Sequence, residues 1–185
     1  GASEKDIEDL DEYNQQLNIA QKVQGMLFPK ELPFTDKLKI KASYLPHHTI
    51  GGDYYDYIPL NEHKFLVCVA DVSGKGIPAA ILMSNFQAAL RILLKRETNL
   101  CSIVEELNTL VMQNSNGENF ITAFLALIDI EQHKIEYINA GHNPPFLFHE
   151  GEVVRLEEGT TVLGGFRELP MLEKGEIKGL KSFLI

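Results

Sequence analysis

The chain has 185 residues, 44% of them hydrophobic and 23% charged, with a formal net charge of −9. That length and balance fit one folded domain with a real core and weigh against disorder. The acidic excess argues against a nucleic-acid binder and against docking on an anionic membrane, since both reward basic patches.

Cys68 and Cys101 are the only cysteines, with no CxxC spacing. A disulfide scaffold or a thiolate zinc site is therefore not expected, and a reducing, cytoplasmic setting fits. There is no signal-peptide pattern, and no apolar run approaches the ~18 residues of a membrane span. The opening "GAS" reads as a cloning scar, which makes the chain an excerpt of something longer.

From Glu4 to about Phe28 the pattern predicts an amphipathic helix. Leu10, Tyr13, Leu17, Ala20 and Leu27 recur near a heptad seam, which suits a helix packed on its own domain or a coiled-coil arm. The prolines of "FPKELPF" end it. Leu38–Tyr44 alternates lysine with apolar residues, as a half-exposed strand does. Tyr54–Leu60 and Phe65–Asp71 flank "NEH" as a hairpin. A helix follows from about Pro78 to Lys95, with Ala79, Leu82, Met83, Phe86, Leu90 and Leu93 in its apolar stripe. A second helix is expected near Ser102, where "SIVE" reads as a capping box with Glu105.

"FITAFLALIDI" and "KIEYINA" predict another hairpin, and "FLFHEGEVVRLE" a third that turns at Glu150–Gly151. Beyond Gly164 the signal fades, although "SFLI" reads as a strand beginning. The order of elements predicts an α+β fold, with helices on a mostly antiparallel sheet pair.

The stretch "IGGDYYDYIPLNEHKFLVCVADVSGKG" sets Asp53 and Asp71 among apolar and aromatic residues, where an unpaired carboxylate is costly. Centring the first hairpin on Glu62 pairs Leu60 with Lys64, Ile58 with Leu66, and Asp53 with Asp71. Directly opposed residues have Cβ atoms about 4.5–5.5 Å apart, and like charges there repel. A shared proton or a bound cation would relieve the repulsion. Gly51–Gly52 and "SGKG" let the backbone bend and approach closely, and Asp71 ends its strand before a loop, a usual place for functional carboxylates. Both features favour the cation. Hard oxygen donors point to Mg²⁺ or Mn²⁺ rather than zinc.

Other motifs fit less well. A phosphate-binding loop over "DVSGKG" would need glycine at position 69 and Ser or Thr at 76, where Val69 and Gly76 stand. His47 and His48 are adjacent and would face opposite ways on a strand. Ser73 lacks a histidine at a recognisable spacing and reads as a loop hydrogen-bonder. His142, in the constrained turn "NAGHNPP", could position a substrate, but a structural role is the better reading of the sequence.

At these residues the chain resembles a known family. "IGGDYYDY", "VADVSGKGIPAAILMS", "FITAFLALID", "INAGHNPPFL" and "TVLGGF", in this order from about Leu27 to Gly164, look like the SpoIIE/RsbU branch of the PPM (type-2C) serine/threonine protein phosphatases. The resemblance implies an antiparallel β-sandwich flanked by helices, with a binuclear Mn²⁺ or Mg²⁺ centre whose activated water attacks a phosphoserine or phosphothreonine. Carried over, Asp53 would bind one metal, Asp71 would bridge both, and the Val72 carbonyl would complete the first site.

The resemblance further implies a phosphorylated anti-anti-sigma-type protein as substrate and control of a sigma factor in a stress or developmental response. Residues 4–30 would be a linker helix to an upstream sensor or regulatory domain, with a possible homodimer, and residues 31–185 the phosphatase domain. The family pattern goes on to a Thr-Asp-Gly block and an Asp-Asp pair that complete the second metal site, and these 185 residues contain neither in place. The expectation is a C-terminally truncated domain with an open sheet edge, binding metal weakly and turning over poorly. The competing expectation is a non-catalytic signalling or dimerisation module on the same fold.

Overall fold

The first hairpin forms in the register that its turn dictates. Asn61 closes the turn, its Oδ1 accepting from the amides of His63 (3.0 Å) and Lys64 (2.8 Å). Strand β1 (Asp53–Pro59) then lies antiparallel to β2 (Lys64–Val72), with Ile58 opposite Leu66 and Asp53 opposite Asp71. The computed structural model describes residues 3–45 and 49–185, so His47 and His48 lie outside the described residues.

Among the described residues β2 pairs with β3 (Ile121–Asp129), and β3 with β4 (Lys134–Ala140), all antiparallel. Two short strands share β4: β7 (Gly159–Thr160) runs parallel to it and β8 (Gly175–Lys178) antiparallel. β1 forms one edge of this six-stranded sheet. The partner layer of the sandwich contains a two-stranded ribbon, β5 (Phe146–His149) with β6 (Glu152–Arg155). It turns at Glu150 and Gly151, both at positive φ (50° and 79°), as a tight hairpin requires.

The sheet has two unlike faces. Leu66, Cys68, Ala70 and Val72 of β2 join Ile121, Ala123, Leu125 and Leu127 of β3 under helices α2 (Gly76–Leu93) and α3 (Leu100–Ser115). The alternate residues Phe65, Phe124, Ala126, Ile128, Ile135 and Tyr137 form a second core with Leu147, Leu156 and Leu180. Each fully buried leucine, isoleucine or phenylalanine contributes about 1.5–3 kcal/mol. By length and composition α2 could cross a membrane, but its Ala79, Leu82, Met83, Phe86 and Leu90 are buried in the core on the helix side of the sheet.

Three sequence expectations need correction. Leu38–Tyr44 is not a strand; among the described residues its β-contact is a bridge between Phe34 and Lys39. The alternation is real, but Leu38 and Ile40 pack against the second core while Lys39 and Lys41 reach over the Phe34 ring (5.2 and 5.4 Å). Helix α3 is capped by Asn99, whose Oδ1 accepts from Cys101 and Ser102 amides. Asn99 has already taken the cap, so Ser102 lies inside the helix and the box with Glu105 does not form. "SFLI" makes one bridge, Leu184 to Phe148, rather than a strand. The strand in this region is β8, whose Gly175 lies so close to Tyr137 that a Cβ would sit 2.3 Å from the ring.

Helix α1 (Glu4–Gly25) opens with a box between Ser3 and Asp6. Its last turns dock on the domain: Gln24 is buried and its Nε2 donates to the Gly51 carbonyl at 2.6 Å. Leu10 and Tyr13, further up the heptad seam, are exposed.

Beneath the sheet, Asp56 is fully buried and takes a bidentate bond from the half-exposed Arg91 guanidinium (2.9 and 2.6 Å). The Tyr54 hydroxyl and the Tyr57 amide complete its shell. This pair clamps α2 to β1. Removing Arg91 strands a buried carboxylate, so Arg91→Ala should lower unfolding free energy by about 3 kcal/mol, measured by urea denaturation. The Asp56→Ala/Arg91→Ala double variant should lose less than the sum of the single changes.

Candidate metal centre

Asp53 opens β1 and Asp71 is the penultimate residue of β2, so both stand at one end of the hairpin. Cross-strand partners share a face. Since Ala70 and Val72 point to the helices, the two carboxylates point the other way, over the sheet face that carries the second core further along. Both residues keep solvent access, which corrects the expectation of carboxylates sunk in apolar surroundings. Proximity to Asp53 adds to the cost of partial burial. Partial burial of its carboxyl, followed by the hydrogen bond and charge of Asp53, pushes the Asp71 pKa upward. In the metal-free chain the pair is therefore suited to sharing a proton.

Glycine makes the approach of the two strands possible. A Cβ on Gly52 would lie 2.7 Å from Val72 Cβ and 3.2 Å from the Val72 carbonyl oxygen. The Val72 amide also donates to the Gly52 carbonyl at 3.2 Å. Gly52 thus keeps the Val72 backbone beside the first aspartate, while the Val72 side chain is buried under the helices.

The row continues across the sheet. Thr122 of β3 lies opposite Asp71, and its Oγ1 meets Nδ1 of His142 at 3.0 Å. The His142 amide donates to Asn139 Oδ1 at 2.8 Å, and buried Asn139 in turn donates to the Leu156 carbonyl. Burial lowers the His142 pKa, and the charge of Asp53 partly opposes this. A cleft of about 530 Å³ opens over this end, lined among others by Tyr44, Asp53, Tyr55, Asp71 and His142. Burial, then the charge of Asp53, raises the Tyr44 phenol pKa.

Ser73 stays outside this row. Its Oγ accepts from the Phe120 amide and its carbonyl from Asn119 Nδ2, so it stitches loops together, as its sequence context indicated. Asp129 caps the β3–β4 turn through the Glu131 and Gln132 amides. Thr122 carries no motif or spacing that marks it in the sequence. Its place opposite Asp71 depends on the pairing of β2 with β3, and two helices separate those strands in the chain.

The oxygens able to hold a divalent cation here are the Asp53 and Asp71 carboxylates and the Val72 carbonyl. They are hard donors of the kind Mg²⁺ and Mn²⁺ prefer. Among the described residues no three His, Cys, Asp or Glu side chains converge as a complete metal cage.

Residues 61–178 match the family model described as Stage II sporulation protein E (SpoIIE). The chain belongs to the SpoIIE family. The phosphoserine phosphatase RsbU of Bacillus subtilis is 33% identical over 139 residues, which cover 75% of this chain and 41% of RsbU. The chain thus spans about two fifths of that relative's length. The SiaA-PP2C domain of Pseudomonas aeruginosa superposes with a TM-score of 0.69 at 18% identity, over 92% of this chain and 68% of that one. RsbX in complex with magnesium superposes with a TM-score of 0.53 at 20% identity, over 72% and 64%. These two structures establish the PP2C-like α+β fold. Asp71 falls inside the family match, whereas Asp53 precedes it and is found through the hairpin register.

Replacing one of two facing acids should relieve the metal-free protein. Asp71→Asn should raise its stability at neutral pH by up to about 1 kcal/mol. Because the folded-state pKa of Asp71 is raised, the wild type should fall behind the variant as pH climbs through that value, and the gap should be smallest in acid, where both states hold the proton. Thermal melts in a chelator across the acidic range would read this.

Proposed function

We propose that this chain carries part of the active site of a metal-dependent phosphoserine/phosphothreonine protein phosphatase. The observation that carries the reading is the pair Asp53–Asp71, held face to face in a chain of the SpoIIE family. Asp56, three residues from Asp53, is neutralised inside the protein by Arg91. Among the described residues Asp53 and Asp71 have no Lys or Arg partner within salt-bridge distance, which suits a cation taken from solution.

In this proposal Asp53 and the Val72 carbonyl would hold one Mg²⁺ or Mn²⁺, and Asp71 would serve both sites of a binuclear centre. The bound ions would supply a nucleophile at neutral pH by acidifying water and would offset charge on the phosphoryl oxygens. The chain's own contribution is positional. The Asn61 turn fixes the register, Gly52 admits the Val72 backbone, and the Arg91–Asp56 clamp holds β1 under α2. The magnesium in RsbX supports a divalent ion, and the name of RsbU supports a phosphoserine substrate.

With two carboxylates converging, binding should be weak and turnover slow in these 185 residues. The same sparse ligand set favours the second reading, a non-catalytic signalling or dimerisation module. We also propose residues 4–30 as a linker helix to an upstream sensor or regulatory domain, residues 31–185 as the phosphatase domain, a phosphorylated anti-anti-sigma-type protein as substrate, and the cytoplasm as its setting.

Mn²⁺ titration by calorimetry, alongside phosphate release from a phosphoserine peptide, tests the proposal. Expected are weak saturable binding and slow Mn²⁺-dependent release, both abolished in Asp71→Asn. Metal binding without release would favour the non-catalytic module. Equal Mn²⁺ binding by wild type and Asp71→Asn would remove the metal centre.

A further inference from the structure

We propose that His142 is a phosphoryl-binding residue, with its Nε2 hydrogen donated to an oxygen of the phosphate held over Asp53 and Asp71. The proposal rests on the phosphatase reading above and adds to it a residue that the sequence alone favoured as structural.

The geometry carries it in three steps. First, the ring is fixed in place. Nδ1 is engaged by Thr122 Oγ1 at 3.0 Å, and the backbone amide by Asn139 Oδ1 at 2.8 Å. Second, the Thr122 hydroxyl has no other hydrogen-bond partner among the described residues, so donating to Nδ1 is its way of using its proton. Nδ1 then accepts, and the ring hydrogen of a neutral imidazole resides on Nε2. A charged ring also carries a hydrogen there, so the donor does not depend on the ring's charge. Third, Nε2 has no partner among the described residues, while the ring lines the same cleft as the two carboxylates.

A phosphate needs donors on the side away from the cations, because bare carboxylates repel it. Lys41, Ser43, Tyr44 and Tyr55 also line the cleft, but His142 is the donor bonded to Thr122, the residue opposite Asp71. His142 closes the row Asp53–Asp71–Thr122 at its far end, where the second contact to a tetrahedral anion belongs.

Nuclear magnetic resonance tests this without turnover. Long-range ¹H–¹⁵N spectra of the ¹⁵N-labelled wild type at mildly alkaline pH should show the Nε2–H tautomer for His142. Inorganic phosphate titrated in saturating Mg²⁺ should shift that ring. His142→Ala should weaken phosphate binding roughly tenfold, the loss expected for one hydrogen bond to a charged group, with Mg²⁺ affinity unchanged. Thr122→Val, which frees the ring, should give a smaller loss that Thr122→Ser restores. A neutral ring protonated on Nδ1 would overturn the proposal, as would wild-type phosphate affinity in His142→Ala or no phosphate binding by the wild type. Absence of Mg²⁺ binding would instead sink the cation site, and the tautomer is read without any ion.

Discussion

Two carboxylates facing each other across an antiparallel ladder dominate one end of this sheet. The repulsion is built into the register: once Asn61 closes the turn, Asp53 and Asp71 meet, and no rotamer takes either to the opposite face of the sheet. Without an ion the pair is eased by a proton, consistent with the raised pKa of Asp71. In the proposed site a divalent cation would replace that proton with a stronger partner. The same contact that costs stability in the metal-free protein would then become a binding position.

The two faces of the hairpin treat acid in opposite ways. On the helix side Asp56 is wholly buried, and the protein supplies its own counter-charge through Arg91. On the cleft side the acids keep contact with water and lie within reach of Thr122 and His142 rather than of a basic side chain. A resident guanidinium makes a clamp, whereas an accessible pair of acids makes a site. Because Asp53 and Asp56 sit on one seven-residue strand, the clamp on α2 also steadies the position of the site.

The legible parts of the fold were those fixed by short-range rules. The first hairpin followed from turn length and two-residue alternation, and α2 from its apolar stripe. Alternation misled at Leu38–Tyr44, because side chains can alternate between core and solvent without any strand partner. β8 was hidden because four residues around Gly175 carry almost no pattern, and their pairing depends on the glycine fitting against Tyr137. At the site, Asp53 and Asp71 were legible through one local turn. Thr122 was not, since its position opposite Asp71 requires the closure of a long loop through α2 and α3. His142 was visible as a polar turn residue, but only the tertiary fold brings it to the row.

The most direct measurement is anomalous diffraction from crystals of the protein soaked in Mn²⁺. A peak within coordination distance of both the Asp53 and Asp71 carboxylates is predicted. Manganese bound only at other acidic surfaces, with these two side chains still paired through a proton, would contradict the central claim.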